Sequence, residues 1–170
     1  MASLMEELLD VLGEEEQQYQ VLIALSDIKR QAVIKADIAR LGEVTVQEQD
    51  AASALLNLSN KRTRVLGDMA TVLGRDPEEM TINKMIGYLE NQPEEQKRLI
   101  ARRDSLLEAG TQMRILNRQN EELLQQALEM VEFDLTLLRS MRQAPETANY
   151  DKNAYNTGEL LGGSAFDARQ

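Results

Sequence analysis

"VIKADIARLG", residues Val33 to Gly42, decides how this chain folds. It lies between two long apolar periodicities and must contain the turn that joins them. Two signals compete within it. Asp37 can cap a new helix, its carboxylate accepting from backbone N–H groups of the first turn. Gly42 can end a helix, and Thr45-Val46-Gln47-Glu48 just beyond it has the spacing of a capping box. The break belongs at Asp37, because Ile38 and Leu41 continue the spacing of the following apolar stripe across Gly42. A break at Gly42 would not require that continuity.

Upstream of this turn, Ser3-Leu4-Met5-Glu6 has the capping-box pattern and predicts a helix starting at Ser3. At about 100° per residue, Leu4, Leu8, Leu12, Tyr19, Leu22, Ile23, Ser26 and Val33 fall on one stripe, with Glu15 as a polar interruption. Downstream, a second helix is predicted to run to about Leu73. Its stripe is Leu41, Ala51, Ala52, Leu55, Leu58, Leu66, Met69 and Leu73, and Glu48 and Arg62 share that face. A hairpin turning near Asp37 brings Glu15 within a turn of Arg62, a distance the long arginine can span, so these two interruptions are expected to meet. "GRDPEEM" then reads as a stop at Gly74 followed by a cap and first-turn proline at Asp76-Pro77. A short helix is expected over Thr81 to about Glu90.

Pro93 opens the longest element, predicted to be continuous to about Arg142 and to end before Pro145. The fold class expected is all-α: an elongated antiparallel bundle of three long helices plus one short helix over residues 1–142, with a flexible C-terminal tail over 143–170. The last long helix carries two stripes. Asn117, Asn120, Leu124, Ala127, Leu128, Val131, Leu135 and Leu138 form the first, and Met130, Phe133 and Leu137 form the second on nearly the opposite side. One packed face accounts for only one of them. Either the first helix covers one stripe and the second or short helix the other, or the second stripe is a groove-binding or oligomer face with an adaptable methionine. The asparagines stand where leucine would pack better, which suggests that they fix register by hydrogen bonding inside the bundle or contact a partner.

Composition narrows the chemistry. The 170 residues include no His and no Cys, aromatics are only 4%, and the formal net charge is -10. Zinc sites, cysteine nucleophiles and histidine proton shuttles are excluded, and carboxylate di-iron bundles lack the histidines their motifs need. Glu14-Glu15-Glu16 point in three directions on a helix and do not converge on a cation. No enzyme and no cofactor is expected. The acidic balance argues against nucleic acid as a partner, and the basic runs Lys61 to Arg64 and Lys97 to Arg103 read as solvated helix faces. No stretch approaches a membrane span or a signal peptide, so the expected location is cytoplasmic without stable membrane insertion.

Three segments together resemble a known family. "YQVLIALSDIKRQAVIKADIARL" is followed by "QEQDAASALLNLSNKR", by "LNRQNEELLQQALEMVEFDLTLL" and by a tail containing Tyr150-Asp151. The order is a Tyr/Leu/Lys pattern, an acidic turn, a Leu-rich helix ending in Lys-Arg, and an Asn-x-x-Asn step opening a Leu-rich final helix. This resembles the FlgN-type flagellar export chaperones through most of the chain, by order and spacing rather than by any single motif. The resemblance implies a cytosolic chaperone that binds the helical C-terminal region of hook-associated proteins, prevents premature assembly and delivers them to the flagellar export apparatus. It implies client contacts at the end of the last helix and in the tail, at Leu124, Leu128, Met130, Val131, Phe133, Leu135, Leu137, Leu138, Tyr150, Leu160, Leu161 and Phe166, to which Asn117 and Asn120 are added as candidates from their place on the stripe. Burying the tail's apolar residues and ordering its backbone nearly balance, which predicts a mobile tail until a partner helix supplies the other surface. The alternative is a structural coiled-coil protein that self-associates as a homo-oligomer and carries no client.

Overall fold

A computed structural model of the chain describes the backbone of residues 1–159 and the side chains of residues 1–142. It contains α1 (Ala2–Ile34), α2 (Ile38–Val72), α3 (Ile82–Tyr88) and α4 (Pro93–Glu159). The all-α class and the succession of three long helices and one short one are as the periodicities predict. The expected partner residues Leu160, Leu161 and Phe166 lie outside the described residues, as does the side chain of Tyr150.

The turn at Asp37 forms, and one residue serves both helices. At the end of α1 the Asp37 N–H donates to the Ala32 carbonyl (2.9 Å) and the Ala36 N–H to that of Val33 (3.2 Å), closing a Schellman motif. The Asp37 carboxylate then accepts from the Arg40 N–H at 2.9 Å and caps α2. Gly42 lies inside α2, and the Thr45 hydroxyl donates back to the Leu41 carbonyl rather than capping anything. The capping box at Ser3 is likewise unused: α1 begins at Ala2 with Met1 at the cap position and no side-chain cap bond. Ser3 already lies inside the helix, and Glu6, the fourth member, reaches across to Arg98 of α4.

At the other end of α2, Gly74 takes φ +65° and the same motif recurs, with the Arg75 N–H donating to the Ala70 carbonyl at 2.9 Å. Asp76 and Pro77 form a turn, not a helix start: the Asp76 carboxylate accepts from the Glu78 N–H at 2.9 Å. The short helix is capped instead by the Thr81 hydroxyl, which accepts from the Lys84 N–H at 3.2 Å.

Packing divides the chain into a unit comprising Met1–Leu124 and a second beginning at Gln125. In the first unit α1 and α2 are antiparallel, as the Glu15–Arg62 and Lys29–Glu48 pairs show. The α1 and α4 helices run parallel, because α2 returns the chain to the starting end and α3 turns it there. Contacts of Glu6 with Arg98, Glu16 with Ser105 and Ser26 with Asn120 keep sequence separations of 92, 89 and 94. The main core gathers Met5, Leu8, Leu9 and Leu12 of α1 with Val65, Leu66, Met69 and Ala70 of α2, Met85 of α3 and Leu99 of α4. Since α1 has neighbours on two sides, its buried arc is wider than the single stripe expected, and it takes in Met5, Leu9, Val11, Leu25 and Ala32. On α2, Val44, Val65 and Ala70 are buried, whereas Ala52 and Leu73 of the expected stripe are exposed.

One element end is corrected. The α4 helix does not stop near Arg142; it continues through Pro145 to Glu159. An interior proline removes one N–H bond and crowds the preceding turn, yet its own φ near -65° is helical. Glu146, Ala148, Lys152 and Ala154 beyond it are not helix breakers.

Candidate partner-binding surface

The charged residues of the first unit are largely consumed by its own packing. Glu15 is only 3% exposed, and both its carboxylate oxygens accept from Arg62 Nη1, at 2.9 and 2.7 Å, as the hairpin register predicts. Burial pushes its carboxyl above the ordinary range, against the opposing pull of Arg62. Glu16 turns toward α4, accepting from the Ser105 hydroxyl at 2.6 Å and lying 3.5 Å from Arg102, while Glu14 is exposed. The three successive glutamates therefore do point three ways. The Lys97-to-Arg103 run is engaged rather than merely solvated. Arg98 grips Glu6 bidentately at 2.6 and 2.9 Å, and its hydrogen bond holds the Glu6 carboxyl below the ordinary range.

A cleft of about 380 Å³ lies between Arg62, Leu66, Met80, Asn83, Arg103 and Leu106. Both its guanidinium groups are already bonded, Arg62 to Glu15 and Arg103 to Asp104 and Asn83. Among the described residues no group of three or more His, Cys, Asp or Glu side chains converges as a metal site, and no helix is long and apolar enough to cross a membrane.

The two asparagines part company. Asn120 is buried, its Nδ2 donating to the Ser26 carbonyl at 2.9 Å and to Ser26 Oγ at 2.8 Å. This is the hydrogen bond within the bundle expected of it, made by two polar residues that stood on facing apolar stripes. Asn117, three residues earlier, is exposed and takes no part in it. Of the expected contact residues, Asn120 is thus turned inward in the free chain.

Beyond Asn120 the surroundings of α4 change. Leu124 and Ala127 are half-buried, and every residue from Leu128 to Arg142 is exposed. On one face stand Leu128, Val131, Leu135 and Leu138. On the other, Met130 and Phe133 are 69% and 67% exposed, and Leu137 is 48% exposed. Met141, 64% exposed, continues the second stripe. Sequence reasoning missed it, although its place four residues after Leu137 gives it the same spacing.

Large apolar side chains in open water at helical spacing form a surface suited to another helix. A family model described as FlgN protein matches residues 1–158 of the chain. No curated protein and no solved structure gives a match.

Proposed function

The chain belongs to the FlgN family, the flagellar export chaperones for hook-associated proteins, and from that premise we propose where it holds its client. The family is non-enzymatic, and the work is binding. The grip is the Met130, Phe133 and Leu137 stripe of α4, extended by Met141 and completed by Tyr150, Leu160, Leu161 and Phe166 in residues 143–170. The observation that carries this reading is the exposure of three large apolar side chains on one face of α4, in a segment that the family match includes.

Burying each such side chain is worth about 1.5–3 kcal/mol. A client helix that is amphipathic supplies the second half of the interface and recovers the ordering cost that residues 143–170 would otherwise bear alone. Covering the client's apolar face keeps it from polymerising in the cytoplasm, and release at the export apparatus completes the cycle.

The test is titration of the C-terminal helical segment of a hook-associated protein against three forms: the full chain, a form lacking residues 143–170, and a Met130→Gln/Phe133→Gln/Leu137→Gln variant. Affinity is expected to fall roughly ten- to a thousandfold in each altered form, with the thermal melting of the first unit nearly unchanged. Combining truncation and substitution should cost less than the sum, since both remove parts of one grip. Altered forms that bind as tightly as the full chain overturn the assignment.

A further inference from the structure

The leucines of α4 form a face separate from the Met–Phe stripe, centred about 135° away at 100° per residue. From Leu124 the seam runs Leu128, Val131, Leu135, Leu138, with steps of four, three, four and three residues. That alternation averages 3.5, the period of two helices wound round one another rather than of a straight helix. From Leu128 onward its members are about half exposed, and nothing among the described residues covers them.

We propose that this seam joins two copies of the chain in a short parallel coiled coil over residues 124–142. Charge selects the orientation. With Leu128 and Leu135 at the a positions and Leu124, Val131 and Leu138 at d, Asp134 falls at g and Arg139 at the following e. In a parallel pair, g of one helix faces that e of the other, so Asp134 of each copy meets Arg139 of the second copy. Within one chain the two are five residues apart and do not face each other. An antiparallel pairing that sets Leu128 opposite Leu138 instead brings Glu132 against Glu132 and Asp134 against Asp134.

Arg142 limits the number of copies. It occupies the next a position, and its long side chain can leave a two-stranded seam for water but is trapped at the axis of a larger bundle. With Glu121 at the preceding a position, it confines the contact to about two and a half heptads and makes it reversible. Met130, Phe133 and Leu137 fall at c and f, on the outside of the pair. The dimer therefore leaves Met130, Phe133 and Leu137 of both copies open, while Met141 at g flanks the seam, and it stands whether or not that stripe binds a client.

Sedimentation equilibrium of the full chain, from low micromolar to near-millimolar concentration, is expected to show a monomer–dimer equilibrium. Leu128→Lys/Leu135→Lys should be monomeric throughout with an unchanged melting profile for the first unit. Asp134→Arg or Arg139→Asp alone should each weaken association about tenfold by making two like-charge contacts. The two together should restore it. Because the chain has no cysteine, Val131→Cys should oxidise to a disulfide-linked dimer, its two copies lying level only in the parallel register. The Met130→Gln/Phe133→Gln/Leu137→Gln variant should dimerise like the parent, so failure of the client assignment and failure of the dimer are separable. A chain that stays monomeric, a dimer indifferent to the lysines, or a charge swap without rescue overturns the proposal.

Discussion

Glu15 carries its charge into a place from which water is excluded on two sides. Arg62 compensates, but burial still prevails and the folded chain holds the Glu15 proton more tightly than the unfolded chain does. Its ionised form therefore costs stability as pH rises through and above the ordinary carboxylate range, and protonation relieves that cost. Glu6 has the opposite sign: held low by Arg98, it contributes stability above the ordinary range, which is lost as pH falls through its lowered value. Arg62→Met should cost about 3 kcal/mol at pH 7, the low end for breaking a buried pair, because Arg62 is itself partly exposed. The loss should shrink toward pH 5 as Glu15 takes up a proton. Glu15→Gln should stay within about 1 kcal/mol of the parent, since it removes the buried charge with the pair. Urea unfolding of both variants at the two pH values checks this, and equal losses would contradict it. The Glu15–Arg62 pair was readable beforehand because each residue interrupts an apolar stripe and a hairpin register connects them. The Glu6–Arg98 pair was not: both residues sit in charged runs that look solvated, and 92 residues separate them.

At the scale of the element, the turn between α1 and α2 contains a residue at odds with its backbone. Ala36 takes φ +52°, the left-handed conformation that costs an L residue about 1–2 kcal/mol. The corresponding position after α2 is Gly74, where the cost is absent. Ala36→Gly should therefore stabilise the chain by about 0.5–1 kcal/mol, the relief being partly offset by the extra freedom of glycine when unfolded. A lowered melting temperature would rule this out. The turn itself was legible from Asp37 and the continuity of Ile38 and Leu41. Its left-handed residue was not, because alanine carries no turn signal. The end of α4 is illegible for a related reason: a proline signals a stop, although it forbids one hydrogen bond and not the helical φ. The two stripes of α4 were legible as stripes. What packs on each was not, because a stripe records a period and not a partner.

Across the first unit, buried apolar mass is unevenly spread. The main cluster lies at the end where α1 starts, α2 finishes and α4 begins, whereas the turn end has Leu25, Ala32, Val44 and Ala51. Native-state hydrogen exchange should follow that gradient. Amides near Leu8 to Leu12 and Val65 to Met69 should exchange only through global unfolding. Those flanking Ile34 to Leu41 should open locally at about 2 kcal/mol less, or roughly thirtyfold faster. Uniform protection along α1 would refute it.

The parallel course of α1 and α4 has a further consequence during synthesis. Leu99, which completes the cluster of Met5 to Leu12, is made more than eighty residues after them. At a translation rate of about 5–20 residues per second, α1 waits roughly 5–20 s for that partner, and the completed α1–α2 hairpin about 1–5 s with its α4-facing side open. A protein that shields others from premature association thus passes through an interval in which its own apolar face is unshielded on the ribosome.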